Sequence, residues 1–202
     1  MNIKKLGFSL LILCLTYALC FGQKLTTGAP GATAPKAGEK VAVIDTNFGR
    51  IIFKFFPKLA PKTVESFQKL TKQGYFDGVT FHRAVPGFMI QGGDPNTKPG
   101  ATGQPGTGGP GYTLPDEFSN THHARGMVSM ANTGQPQSSG SQFFVMVGDA
   151  GFLDGKYSLF GQVVQGMNVA DKIVALPTQG EMLAPRAAVM KKVRIMKWPV
   201  KG

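Results

Sequence analysis

Cysteine is nearly absent from these 202 residues. The two that occur, Cys14 and Cys20, fall within the first 22 positions, so a chain that loses this segment has no disulfide to form even in an oxidising compartment. Stability must then come from a packed core, and the length suffices for one domain with such a core. Histidine occurs three times, as His82, His122 and His123. No cysteine or carboxylate stands at metal-ligand spacing around them, so no metal is expected and hydrogen-bonded structural or surface histidines are. There is no Gly-x-Ser-x-Gly elbow and no cysteine nucleophile in the body of the chain. These absences exclude the common covalent mechanisms and a Cys/His metal centre. Acidic residues are also few, 11 against 22 Lys and Arg.

That imbalance invites a nucleic-acid or anionic-surface reading. Its distribution argues against one. Lys58, Lys62, Lys69 and Lys72 flank one amphipathic segment, Lys191, Lys192, Arg194 and Lys197 another, and neither shows aromatic residues interleaved with the charges. Solvated faces are expected, with no nucleic-acid partner.

Residues 1–22 place Lys4 and Lys5 before an apolar run from Leu6 to Phe21, with Cys20 and Gly22 at −3 and −1 before Gln23. This is the layout of a secretory signal peptide, and the run is shorter than the ~20 residues of a spanning helix. The expected location is exported, periplasmic or secreted. Cys20 also offers a lipid-anchor alternative, a membrane-attached lipoprotein, although Leu19 before it is larger than such sites prefer. Residues 23–40, rich in Gly, Ala, Thr and Pro, read as a flexible linker. The domain is expected over 41–198, with 199–202 a short tail.

Two β-rich runs around Asn47-Phe48-Gly49 predict a hairpin. Val64, Phe67 and Leu70 recur at helical spacing after Pro61 and before Gly74, and Val169, Ile173 and Leu176 repeat that pattern later. Strand candidates lie at 79–85, 88–91, 127–132, 142–148 and 158–164, with a last one in the tail segment AVMKKVRIMKW. Many strands and only two helices predict a mainly β domain, an antiparallel sheet closed on itself and covered by the helices. The Gly/Pro-rich stretch 92–111 reads as a surface loop. Its formal Gly-x-Gly-x-x-Gly at Gly106, Gly108 and Gly111 has neither the strand before it nor the helix within it that dinucleotide binding needs.

The chemistry concentrates in three stretches. FHRAVPGFMIQGGD sets Arg83 among apolar residues, where a guanidinium that never loses its proton carries a desolvation cost. GMVSMANTGQPQSSGSQFFVMVG brings Asn132, Gln142, Phe143 and Phe144, with Gln142 and Phe144 on one strand face. GFLDGKYSLFG adds Phe152, Leu153 and Tyr157 around an Asp154-Gly155 turn. One arginine, several amides and many aromatics suit a reaction in which no covalent bond changes hands. Rotation about an X-Pro bond is one, opposed by a barrier of about 18–20 kcal/mol.

These residues, as FHRAVPGFMIQGGD, SMANTG, GSQFFV and FLDGKYSLFG in that order over about residues 41–198, resemble the cyclophilin-type peptidyl-prolyl cis-trans isomerases. The resemblance implies an eight-stranded antiparallel closed β-barrel capped by two α-helices, no cofactor, and an outer groove for proline-containing peptides. Expected partners are such peptides and unfolded or partly folded proteins, with the enzyme a monomer. Carried over by position, it makes Arg83 catalytic, donating to the prolyl nitrogen, with Gln91 orienting it and meeting the substrate carbonyl. Phe88, Met89, Phe144 and Leu153 resemble the walls of the proline pocket, with Phe152 and Tyr157 at its rim. Ala131, Asn132 and Gln142 match positions lining the groove, Asn132 through its backbone. Phe152 and Tyr157 stand where the best-known eukaryotic members have Trp and His, which argues against strong cyclosporin binding more than against catalysis. A noncatalytic proline-peptide module on the same barrel is the alternative function, and a basic surface-binding protein a third.

Overall fold

The computed structural model describes residues 33–200. The expected signal segment with Cys20, positions 23–32 of the linker and residues 201–202 lie outside the described residues. In chain order the elements are β1 (Lys40–Thr46), β2 (Gly49–Phe55), α1 (Pro61–Lys72), β3 (Thr80–Val85), β4 (Met89–Gly92), β5 (Met127–Met130), β6 (Phe143–Met146), β7 (Leu159–Gln165), α2 (Met167–Val174), β8 (Thr178–Gln179), β9 (Met182–Leu183) and β10 (Ala188–Lys197). Eight strands run antiparallel in the order β10-β1-β2-β7-β5-β6-β4-β3, and β10 returns to β3 through Ala188↔Phe81 and Val189↔Thr80. The sheet thereby closes into the expected barrel, which leaves no free edge among these strands. The short β8–β9 hairpin adds to the outside of β3, where Arg83 pairs with Met182.

Register decides which side chains enter the barrel. Ala84, Ile90, Val145 and Val128 are paired in turn across β3, β4, β6 and β5, and all four belong to the main core. Their chain neighbours face outward, because adjacent strand residues alternate. Four phenylalanines surround Phe67 in the interior: Phe53, Phe76, Phe143 and Phe160 have ring centroids 4.8–5.5 Å from it. Offset and edge-on aromatic pairs of this kind contribute beyond their area burial.

Both helices join the core formed by the inward strand residues, Val64, Phe67 and Leu70 from α1 and Val169, Ala170 and Ile173 from α2. Helices reach inward-facing residues only through the barrel's openings, which these two cover. α1 begins at Ala60 without a side-chain cap of its own. Glu117 supplies one from a distant loop, its carboxylate accepting from the Lys62 and Thr63 N–H groups at 2.9 and 2.8 Å. This satisfies two of the orphan donors at the helix start and complements its positive dipole end.

The elements differ from the sequence expectation mainly at their ends. β5 stops at Met130, α2 stops at Val174, and Leu176 packs against the core beyond the helix. The sequence reading does not include the β8–β9 hairpin, because its two-residue strands are too short to carry a hydrophobic alternation. The 92–111 loop is a surface segment as expected, but it is not slack. Asp94, fully buried, accepts N–H bonds from Asn96, Gly106 and Gly108 and so draws the loop around one carboxylate.

Candidate active site

The outer wall across β3, β4, β6 and β5 carries the site. Here Arg83 pairs with Gln91, Gln91 with Phe144 and Phe144 with Ser129; one step along, Val85 pairs with Met89 and Met89 with Met146. Strict alternation from the inward Phe81 would turn Arg83 into the barrel. The register breaks between Phe81 and Arg83, so His82 is an extra residue and Arg83 emerges on the outside. A β-bulge re-aims side chains in this way.

The guanidinium is braced from two sides. Gln91 Oε1 accepts from Nη1 at 3.1 Å, and Glu181 Oε2 lies 2.6 Å from both Nε and Nη2. Gln91 in turn donates through Nε2 to Gln142 Oε1 at 3.0 Å, and Gln142 Nε2 donates to the Gly106 and Gly108 carbonyls at 3.0 and 2.9 Å. A continuous hydrogen-bonded chain thus runs from Arg83 to the stapled loop. Beside its far end is an open cavity of about 440 Å³ lined by Gln91, Ala131, Asn132, Gln142 and the 106–110 segment. Asn132 uses its side chain locally, donating to the Lys156 carbonyl and accepting from Gly134 N–H.

Next to this polar chain lies a separate apolar cluster. Met89, Phe144, Met146, Ala150 and Leu153 are buried within it, with Val85, Phe88, Met127, Ala131 and Tyr157 partly buried around them. The structure therefore brings together all the expected pocket-wall residues. Phe152 stands out at the rim, 66% exposed, with its ring 5.6 Å from that of Phe88. Phe88 is seated by a close crossing: its carbonyl accepts from Val147 and Gly148 N–H, and a Cβ on Gly148 would fall 1.8 Å from the Gly87 oxygen. Only glycine permits that approach.

Behind the apolar wall is a histidine network. Buried His123 bonds Asp154 Oδ1 through Nδ1 at 2.8 Å and Ser129 Oγ through Nε2 at 2.9 Å, and its ring stacks on Phe144. His122, more exposed, bridges Asp154 and Asp149 at 2.9 and 2.8 Å. Its bond to Asp154, then that to Asp149, raises its pKa, while the two histidines lower the Asp154 carboxyl to about 2. These two histidines are hydrogen-bonded as expected. His82 is not: it is buried, and neither ring nitrogen has a partner at normal hydrogen-bond geometry. Burial pushes its pKa down, against opposing pulls from Asp94 and the Thr80 backbone.

Glu181, His123, Asp154 and Ser129 were not singled out for the site by sequence reasoning. Asp154 and Ser129 stand inside the quoted motifs, but only the fold shows that they meet at His123. Glu181 lies 98 positions from Arg83 in a stretch with no periodic pattern.

The outer wall of a closed antiparallel barrel thus joins one braced guanidinium to an apolar cluster. The family model described as "Cyclophilin type peptidyl-prolyl cis-trans isomerase/CLD" matches residues 41–200, and the chain belongs to this family. It is 42% identical over 137 residues to a Schizosaccharomyces pombe peptidyl-prolyl cis-trans isomerase, covering 67% of this chain and 85% of the relative. A probable peptidyl-prolyl cis-trans isomerase of Brucella abortus is 40% identical over 154 residues, 74% and 79% of the two chains. Among solved structures, a Cryptosporidium parvum cyclophilin-type isomerase superposes with a TM-score of 0.71 at 31% identity, covering 79% of this chain and 99% of that one. The same isomerase in the presence of the dipeptide Ala-Pro superposes with a TM-score of 0.70 at 30% identity, covering 78% and 99%. The activity of this chain is peptidyl-prolyl cis-trans isomerisation.

Proposed function

We propose that Arg83 is the catalytic donor, and that the cluster of Phe88, Met89, Phe144 and Leu153 is the slot for the substrate proline ring. The observation that carries this reading is the bulge-turned guanidinium, held by Gln91 on the strand that also supplies Met89. In the planar amide the nitrogen lone pair is delocalised. As the bond twists the pair localises on nitrogen, and an N–H of Arg83 stabilises it there more than in the ground state. Burying the three ring CH2 groups contributes about 2 kcal/mol of binding at ~0.8 kcal/mol each. It also takes the amide out of water, which favours the less polar twisted form. Asn132 has its side chain engaged elsewhere, so its contact with peptide falls to the main chain. Ala131 and Gln142 line the groove beside it, and Phe152 and Tyr157 border the slot. The Ala-Pro dipeptide named with the Cryptosporidium structure is of the substrate class this slot would take.

The clients are exported proteins that fold outside the cytoplasm, where slow proline steps limit folding. The basic pair and apolar run at 4–21 support that assignment, and the enzyme acts as a monomer. Residue roles are tested by prolyl isomerisation of a proline tetrapeptide. A hydrogen bond to a charged group contributes about 1.5–3 kcal/mol, one to two decades of rate, and the bond's loss also frees Gln91. Arg83→Ala is expected to lose about two decades of kcat/KM with its fold retained. A variant within about fivefold of wild type refutes the role of Arg83. Intact mass of the protein recovered from culture tests export and the state of Cys20.

A further inference from the structure

The turn of the β8–β9 hairpin ties itself to Arg83 at two points. Met182 pairs with Arg83 in register and the Glu181 carbonyl accepts from Ala84 N–H at 2.9 Å, which fixes the turn against β3. The Glu181 carboxylate then reaches the guanidinium, with Oε2 2.6 Å from both Nε and Nη2. We propose that Glu181 is a positioning residue for isomerisation, holding the Arg83 guanidinium in the plane that presents its remaining N–H groups to the proline slot. This inference rests on the reading of Arg83 as the donor.

Guanidinium offers five N–H donors in a rigid fork. Glu181 engages one on Nε and one on Nη2, and Gln91 engages one on Nη1. Two of the five remain, one on each terminal nitrogen. Strand order shows why the carboxylate braces and does not block: β9 lies on one side of β3, while Gln91, Met89 and Phe144 lie on β4 and β6 on the other. Glu181 therefore approaches from the side away from the slot. Arg83 is a long, flexible side chain, one-third exposed. Without a second anchor it would rotate about the Gln91 contact, and catalysis is sensitive to misplacement on the ångström scale.

The test uses the full-length protein and a tetrapeptide with a central Ala-Pro bond, with kcat and KM separated by NMR exchange. Glu181→Ala is expected to lower kcat about tenfold with KM changed less than about twofold. Glu181→Gln, whose amide oxygen can accept the same N–H groups, recovers kcat to within about threefold of wild type. The Arg83 Nε–H resonance is expected to be protected from solvent exchange in wild type and Glu181→Gln and unprotected in Glu181→Ala, which local loss of the hairpin's stability alone would not restore through Gln. In an Arg83→Ala background, removing Glu181 costs nothing further. If Arg83→Ala loses two decades while Glu181→Ala leaves kcat unchanged or raises it, the inference falls and the donor role of Arg83 stands. If Arg83→Ala stays within about fivefold of wild type, the donor role itself falls, and this inference with it.

Discussion

Removing the Asp94 carboxylate tests how a buried loop staple supports a site it never touches. Asp94 is fully buried and accepts from Asn96 N–H at 2.7 Å on one oxygen and from Gly106 and Gly108 N–H on the other. Bonds to a buried charge contribute about 1.5–3 kcal/mol each, so three give at least 4.5 kcal/mol gross. Part of this is recovered in Asp94→Ala, because the freed loop can rotate its donors into water. The net loss of unfolding free energy is expected at about 2–4 kcal/mol. Asp94→Asn keeps one acceptor oxygen, enough for the Gly106 and Gly108 pair, but turns an NH2 group toward Asn96 N–H, so its loss is smaller. Urea unfolding measures both. Activity should fall with stability in the folded Ala variant, since the same loop supplies the Gly106 and Gly108 carbonyls that hold Gln142, and through it Gln91. A loss below about 1 kcal/mol, or an Asn variant less stable than Ala, refutes the account.

The slot and its rim should respond differently to truncation. Phe144→Ala, in a buried position, is expected to cost about 3–5 kcal/mol, whereas Phe152→Ala, largely exposed, should change stability by less than about 0.5 kcal/mol and act on KM. Chemical unfolding and isomerisation kinetics on both variants check this. The His122 bridge gives a pH signature. Its folded pKa lies above the unfolded value, so its stabilising contribution is complete below about pH 6.5 and is lost as pH rises through the folded pKa. Asp154, lowered from 3.8 to about 2, contributes above its unfolded pKa and loses that contribution as pH falls toward 2. The melting-temperature difference between wild type and His122→Ala should therefore be largest near pH 5 and shrink as pH rises through the raised folded pKa. A difference that grows from pH 5 to pH 8 refutes the bridge. Buried His82 carries the opposite sign: with its folded pKa lowered, it should destabilise the fold as pH falls below about 6.5, and His82→Gln should flatten that slope in melting temperature.

Much of the site was legible because its residues are clustered in the chain and constrained by local rules. Alternation along 142–146 puts Gln142, Phe144 and Met146 on one face, while the roles expected of Phe88, Met89, Phe152, Leu153 and Tyr157 came from the resemblance of their motifs to the family. The core was legible for the same reason: Val64, Phe67, Leu70, Val169 and Ile173 follow the helical period that the barrel buries. What local pattern could not supply is any contact set by long-range closure. Alternation alone predicts an inward Arg83, and only the register break at His82 against β4 turns it out. Glu181 meets Arg83 because a two-residue strand with no periodic signal adds to β3. Glu117 caps α1 from a loop 55 residues away, and the 92–111 segment is ordered by a single buried carboxylate. The amino-acid sequence by itself determined which residues are apolar, which carry fixed charge and which share a strand face, because those properties depend on side-chain chemistry and the backbone period. Tertiary structure decided where the guanidinium points and what holds it there, because that orientation is set by strand register and by partners that only barrel closure brings within bonding distance.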